Sequence, residues 1–288
     1  MLENLNTSSS SHQSYQSQPV ASDTVSRRAK LDFTQAISDS RVNGSISANN
    51  ALPGYDRALD AAEDSVVQVG TSKSSGSGVL IGEDDKHYYI ITNAHVVGPL
   101  RGSVDVLLPN GDKQKADVIK NNPRQAFNNK VDDLAIVRVE KKDNDFTVAE
   151  LAKASPAIGD PVLQAGALQL ANVSPPYGAI TIPSVGSNRF AVSGVITEDR
   201  DPSDKNDQER IAGSYELGVS DGLPVSSSGG GTFNPDGYLV GLNGLGATER
   251  SALLQNGKAA FRENQDTSNW LIDTQTIREF AEGVIPGF

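Results

Sequence analysis

Short apolar, β-branched runs recur along most of the chain and are separated by polar turn signals. The runs are SGVLI (77–81), YYIIT (88–92), VDVLL (104–108), KADVIK (115–120), LAIVRV (134–139), PVLQAG (161–166), YGAITI (177–182), RFAVSGVIT (189–197) and YLVGL (238–242). Turn sequences such as PNGD (109–112) and NPDG (234–237) stand between them. Strands of this length and spacing predict an all-β barrel or sandwich, and no long parallel α/β alternation is present.

The N-terminal segment differs in composition from the rest of the chain. Residues 1–30 are rich in Ser and Gln and hold too little apolar surface to offset chain entropy, and residues 31–54 are a weak linker. The first periodic segment, YDRALDAAEDSVVQVG, places Leu59 and Ala62 on one face of a helix that runs into a strand at 66–69. We therefore predict a disordered tail and linker over 1–54 and one folded domain over 55–288.

A second helix is predicted at the C-terminus. The segment DTQTIREFAEGVI (273–285) has Asp273 or Thr274 as a plausible N-cap. Its apolar positions at helical spacing are Ile277, Phe280 and Val284. We expect this helix to pack against the β-structure with that face.

Charge and cysteine content narrow the classes of function. The net charge of −11 disfavours nucleic acid and anionic membranes as partners. The chain has no cysteine, which rules out thiol catalysis, disulfides and thiolate metal sites. We find no cofactor or metal motif, no stretch long enough for a membrane span and no recognisable signal peptide. The expectation is a cytoplasmic protein or one exported by a leaderless route, with its oligomeric state open.

Two segments place titratable side chains at strand ends. His95 closes the apolar strand in YYIITNAHVVG, whereas Asp132 and Asp133 open the apolar strand in KVDDLAIVRV. A carboxylate at a strand edge that is partly buried needs a donor, and an imidazole N–H is a suitable one. Each residue also has a structural interpretation, as a hydrogen-bonding histidine or a turn aspartate, and for Asp132 we favour the turn.

The stretch VSSSGGGTFNPDGYLVGLNG (225–244) is the third candidate. A serine nucleophile needs an exposed hydroxyl beside a base and backbone N–H groups aimed at the developing oxyanion. Glycines after the serine allow a tight and unusual backbone path. Low-complexity linkers also contain Ser-Gly runs, but a patterned apolar strand does not normally follow them at once.

Taken together and in order, these segments resemble the trypsin-like serine peptidases, in particular the bacterial HtrA/Deg-type branch without a PDZ domain. The similar segments are GSGVLI (76–81), TNAHVV (92–97), DDLAIVRV (132–139), GDPVLQAG (159–166), VSGVIT (192–197) and SSSGGGTFNPDGYLVGLNG (226–244). TNAHVV is the most specific of them. The resemblance implies two antiparallel six-stranded β-barrels, a closing C-terminal helix and a site in the cleft between the barrels.

The resemblance also implies roles for particular residues. His95 would be the general base, Asp133 would orient it, and Ser228 would attack the carbonyl of a peptide substrate. The backbone N–H groups of Ser226 and Ser228 would form the oxyanion hole. Two positions depart from the family pattern, because Ser226 stands where a glycine is usual and Gly231 where a proline is usual. The alternative is therefore a weak or inactive peptidase-like binding module, and a third possibility is an esterase-like activity of the same residues.

The same resemblance gives a hypothesis about specificity. The pocket would be built from DGLPVSS (221–227) and GLNG (241–244). Gly222 falls where enzymes that select Lys or Arg carry an acid, so we predict small or medium apolar residues before the scissile bond. The substrate-binding positions would be Gly222, Leu242, Asn243 and Gly244.

Overall fold

The computed structural model describes ten parts of the chain. They are residues 53–71, 75–99, 102–122, 132–142, 145–168, 180–182, 188–199, 214–220, 227–245 and 269–288. The predicted tail (1–54) falls almost wholly outside these residues, so the predicted domain boundary stays a prediction. Within the described part, strands dominate and form two closed antiparallel barrels, which confirms the predicted fold class.

Helix α1 (Asp56–Ser65) leads directly into the first barrel. The strands of this barrel are β1 (Val66–Gly70), β2 (Ser75–Glu83), β3 (His87–Thr92), β4 (Ser103–Leu107), β5 (Lys113–Asn121) and β6 (Ala135–Glu140). Their order around the barrel is β1-β2-β3-β6-β5-β4, and pairing of β1 with β4 closes it. The single-turn helix α2 (Ala94–Val97) follows β3 at one end of the barrel.

The second barrel is built from the C-terminal strands. They are β7 (Pro161–Leu168), β8 (Ile180–Ile182), β9 (Asn188–Asp199), β10 (Leu217–Val219), β11 (Gly231–Phe233), β12 (Leu239–Leu245) and β13 (Asn269–Asp273). Six of them follow one another in the order β10-β13-β12-β11-β7-β9, and the pairing of β9 with β10 closes this ring. β8 pairs with residues 189–191 of β9.

The continuous apolar runs in β3 and β6 have a direct structural reason. Alternate residues of a strand point to opposite faces. In β3, Tyr88 and Ile90 enter the interior of the first barrel, whereas Tyr89 and Ile91 join a second hydrophobic cluster shared with the helices and the second barrel. Both faces of these strands are buried, so neither shows the polar alternation of a half-exposed strand.

Helix α3 (Thr274–Ala281) lies near the C-terminus of the chain. The Asp273 carboxylate caps it by accepting from the backbone N–H of Gln275 at 2.6 Å, as the N-cap prediction required. The helix ends four residues earlier than the predicted limit at 285, and Gly283 follows with φ +69°. Val284 therefore packs against the core from beyond the helix.

No helix in the described part of the chain is long and apolar enough to cross a membrane.

Candidate active site

The segment Thr92-Asn93-Ala94-His95 joins β3 to α2, and Asp133 holds it in place. The amide of Asn93 donates to the Asp133 carbonyl at 3.0 Å, and the backbone N–H of Ala94 donates to the same carbonyl at 3.2 Å. The backbone N–H of His95 donates to Asp133 Oδ1 at 2.9 Å. The first N–H groups of a helix have no partner within it, so Asp133 satisfies them from outside. This arrangement explains why the histidine and aspartate segments meet.

The side chains of His95 and Asp133 are also hydrogen-bonded. His95 Nδ1 lies 2.6 Å from Asp133 Oδ2, and Asp133 is only 7% exposed. Burial raises the pKa of the Asp133 carboxyl, but hydrogen bonds from His95 and Tyr215 outweigh it, so its pKa lies below the usual value. An ionised Asp133 fixes the proton on Nδ1 and leaves Nε2 of His95 as the basic nitrogen.

Ser228 lies on a tight turn between the two barrels. Its carbonyl accepts from the backbone N–H of Ser77 in β2 at 2.8 Å, which ties the turn to the first barrel. The N–H of Gly229 donates to the carbonyl of Asn243 in β12 at 2.8 Å, and the N–H of Gly230 donates to the carbonyl of Ser227 at 2.8 Å. The turn is therefore fixed from both sides by main-chain hydrogen bonds.

Glycine is required at two places where this turn meets the first barrel. Gly229 has φ +84°, and a Cβ there would lie 2.1 Å from the Ser77 carbonyl oxygen and 2.4 Å from Thr92 Oγ1. A Cβ on Gly76 would lie 2.8 Å from the Ser228 carbonyl oxygen. These distances are well below van der Waals contact, so close backbone approach explains both glycines.

The hydroxyl of Ser228 does not point to His95. It donates to the carbonyl of Gly244 at 3.0 Å, and among the described residues no hydrogen bond joins it to the His95 imidazole. Ser228 is 7% exposed. The hydroxyl must therefore turn away from Gly244 before it can give its proton to His95.

The positions predicted to bind substrate have different surroundings. Leu242 is fully buried in the hydrophobic core. Asn243 is also buried, with its amide donating to the Ala165 carbonyl at 2.9 Å and its Oδ1 accepting from Thr232 at 2.6 Å. Gly244 contacts Ser228 as described above. Gly222 and Ser226 lie outside the described residues. The substrate-binding and oxyanion-hole assignments stay predictions.

Tyr215 is a neighbour of the site that the sequence analysis did not single out. Its hydroxyl donates to Asp133 Oδ2 at 2.6 Å, and Ser214 beside it donates to Asp132 Oδ1. Consecutive residues of the second barrel thus bind the two consecutive aspartates of the first. An isolated tyrosine in the polar stretch SYELG carries no periodic signal, so only the three-dimensional contact identifies it.

Glu216, the next residue, is a carboxylic acid in an unfavourable environment. Burial raises the pKa of Glu216 to about 7, with further increases from the charges of Asp273 and Asp132, and the Thr276 hydroxyl opposes the change by donating at 3.1 Å. The ordinary pKa of the group is 4.5, so the folded state holds a proton that the unfolded chain loses between these values.

We expect this group to make folding pH-dependent. The free energy of unfolding should fall as the pH rises from about 4.5 to about 7, and level off above that. Glu216→Gln removes the ionisation and keeps an acceptor for Thr276. At about pH 8 the free energy of unfolding of the variant should exceed that of wild type by about 1–2 kcal/mol, allowing for solvent screening. At about pH 4 the two should differ little. Thermal melts of both proteins at both pH values measure the difference in stability. An equal difference between variant and wild type at the two pH values would contradict the prediction.

Comparison with known proteins places the chain in a family. Residues 76–242 match the model of the trypsin-like peptidase domain, a span that includes His95, Asp133 and Ser228. The chain belongs to the trypsin-like peptidase family. This confirms the resemblance to the trypsin-like serine peptidases.

Solved structures of HtrA-type and related proteases share the fold. The chain is similar to the serine endoprotease from Yersinia pestis, with 21% identity, a TM-score of 0.51, and coverage of 78% of this chain and 64% of that one. It is similar to the HtrA-type protease AlgW with tripeptide, with 20% identity, a TM-score of 0.55, and coverage of 81% and 64%. It is also similar to the Rv3671c protease of M. tuberculosis H37Rv in its inactive form, with 17% identity, a TM-score of 0.53, and coverage of 83% and 96%. A search of curated proteins found no match.

Proposed function

We propose that this protein hydrolyses peptide bonds through His95, Asp133 and Ser228 and a covalent acyl-enzyme. The observation that carries the proposal is the 2.6 Å hydrogen bond between His95 Nδ1 and the buried carboxylate of Asp133. A histidine held in this way is oriented and keeps a basic Nε2. Ser228 lies on a turn whose main chain is fixed to the same barrel through Ser77.

The chemistry follows from these groups. Ser228 Oγ gives its proton to His95 Nε2 and attacks the substrate carbonyl carbon, and the charged His95 is stabilised by Asp133. The oxyanion of the tetrahedral intermediate accepts hydrogen bonds from the backbone N–H groups of Ser226 and Ser228. His95 then protonates the leaving amine, and a water activated by the same histidine hydrolyses the acyl-enzyme. Each proton taken up by His95 is returned to a product or to Ser228.

A binding module without activity is the second candidate function. The hydrogen bond from Ser228 to the Gly244 carbonyl favours it, because that contact withholds the hydroxyl from His95. Turning a serine side chain to another staggered position needs no change in the backbone. Apo enzymes also often have loose catalytic hydrogen bonds that tighten on substrate binding. We therefore place the peptidase first.

A fluorophosphonate probe that labels activated serines tests the peptidase directly. We expect the full chain to be labelled, and Ser228→Ala and His95→Ala to abolish the labelling. Ser227→Ala is the matched control, since this adjacent serine is equally buried and should leave the labelling intact. A folded wild type that is not labelled would favour the binding module. Loss of labelling in Ser227→Ala but not in Ser228→Ala would mean that the nucleophile is misassigned.

We further propose that the enzyme prefers small or medium apolar residues before the scissile bond. Gly222 has no charge to pair with Lys or Arg at the position where the family resemblance places the selecting acid. Cleavage of a peptide series with Val, Ala, Leu, Arg or Glu immediately before the scissile bond should give the highest kcat/KM for Val, Ala or Leu. A clear preference for Arg would contradict the proposal.

A further inference from the structure

Asp133 has a second side-chain partner besides His95. Its Oδ2 accepts from His95 Nδ1 and from the hydroxyl of Tyr215, both at 2.6 Å, and its Oδ1 accepts from the backbone N–H of His95 at 2.9 Å. We infer that Tyr215 is a positioning residue that fixes the Asp133 carboxylate against His95. The inference rests on the proposed function and adds a residue to it.

Tyr215 is itself rigidly placed. It is 3% exposed and belongs to the hydrophobic cluster shared by the two barrels. Both neighbours of Tyr215 are anchored, because the N–H of Glu216 donates to the Leu271 carbonyl at 2.9 Å and the hydroxyl of Ser214 donates to Asp132 Oδ1. A ring fixed by packing holds its hydroxyl in place at little further entropic cost.

The ring of Tyr215 also lies against the residue that binds Ser228. A Cβ added to Gly244 would stand 1.8 Å from Tyr215 Cε1, so any larger residue there would displace the tyrosine. The Gly244 carbonyl accepts the Ser228 hydroxyl at 3.0 Å. One side chain of the second barrel thus touches both the partner of His95 and the backbone that holds the nucleophile.

Removal of the hydroxyl should affect His95 in a defined direction. A donor on Oδ2 spreads the negative charge of the carboxylate and holds it in one orientation. Without it, the negative charge that faces His95 is less spread, and the carboxylate loses its fixed orientation. The neighbouring acids Asp132 and Glu216 keep their own partners, Ser214 and Thr276.

Tyr215→Phe in the full chain tests this inference, because it keeps the ring and removes only the hydroxyl. We expect the second-order rate of fluorophosphonate labelling to fall about tenfold near neutral pH, since a charge-assisted hydrogen bond is lost. The midpoint of the pH profile of labelling should lie at higher pH in the variant than in wild type. The proton NMR signal of the His95 Nδ1–H, assigned with His95→Ala, should change its chemical shift in Tyr215→Phe, and this readout does not depend on activity.

Tyr89→Phe is the matched control. The hydroxyl of Tyr89 donates to Asp84 at 2.7 Å, and the residue is 6% exposed, so the same atom is removed from a similar bond in the first barrel. It should leave both the labelling rate and the pH midpoint unchanged.

The outcomes separate the two proposals. A labelled wild type with a Tyr215→Phe rate within about twofold and an unmoved midpoint would overturn the role of Tyr215 and keep the peptidase. An unlabelled wild type would overturn the peptidase, and an unchanged NMR signal of the His95 Nδ1–H in Tyr215→Phe would then also overturn the role of Tyr215. An equal loss of labelling in Tyr89→Phe would show a general effect of destabilisation and overturn the inference.

Discussion

Asp133→Asn is expected to lower kcat/KM by about 10⁴-fold while the protein remains folded. Both carboxylate oxygens of Asp133 act only as acceptors, from His95 Nδ1, the His95 backbone N–H and Tyr215. An asparagine has one acceptor oxygen and one NH₂ group. If the NH₂ group faces His95, it forces the imidazole into the tautomer that carries its proton on Nε2, and the base is lost. The measurement is peptide hydrolysis or fluorophosphonate labelling, with circular dichroism to verify the fold.

The neighbouring aspartate supplies the control for this variant. Asp132→Asn changes the same functional group one residue away, but the described contact of Asp132 is with Ser214 and not with His95. Its activity should stay within about threefold of wild type, as for a substitution outside the reacting groups. Comparable losses in the two variants, or less than a tenfold loss in Asp133→Asn, would contradict the assigned role of Asp133.

Gly229→Ala is expected to reduce the free energy of unfolding by about 4 kcal/mol and to abolish labelling of Ser228. The backbone at Gly229 has φ +84°, which costs an alanine about 1–2 kcal/mol. The new Cβ would also stand 2.1 Å from the carbonyl oxygen of Ser77, so the turn that carries Ser228 must move. Overpacking of this kind adds about 1–3 kcal/mol. Thermal or denaturant unfolding measures the loss, and a Tm lower by about 10 °C is expected.

Gly159→Ala isolates the steric part of that effect. Gly159 has a similar backbone angle, φ +93°, but an added Cβ would meet nothing within 4 Å. The free energy of unfolding of this variant should fall by only about 1–2 kcal/mol, and Ser228 should be labelled as in wild type. If the two variants were equally destabilised, the close approach between Ser77 and Gly229 would not be what requires the glycine.

The sequence predicts the fold well wherever an element is long or periodic. The runs in β2, β3, β6, β7 and β9 were recognisable because each holds several apolar residues between turn signals. The strands β10, β11 and β13 were not predicted. The first two have three residues each, and Gly218 in β10 and Gly231 in β11 lower the intrinsic strand preference. These strands form because partners on both sides provide their hydrogen bonds, and this information is distant in sequence.

Prediction of the site was limited in the same way. The segments around His95, Asp133 and Ser228 were singled out because each combines a reactive residue type with an unusual local context, a strand end or a run of glycines. The roles assigned to them remain proposals to be tested. The contact of Tyr215 with Asp133 spans 82 positions and leaves no trace in local composition. The rotation of the Ser228 hydroxyl toward Gly244 likewise depends on packing that no local pattern records.

The hydrogen bonds of Ser77 limit how chimeras can be made from this protein and its relatives. Its N–H binds the Ser228 carbonyl at 2.8 Å, its carbonyl accepts from Thr92 at 2.6 Å, and its hydroxyl accepts from the N–H of Ala167 at 2.9 Å. We therefore expect that the two barrels cannot be exchanged independently between relatives. A crossover between 140 and 161 would combine β2 from one parent with the Ser228 turn from another. Chimeras of distant relatives should inherit β2 and the segment around Ser228 together, or lose the alignment of the turn.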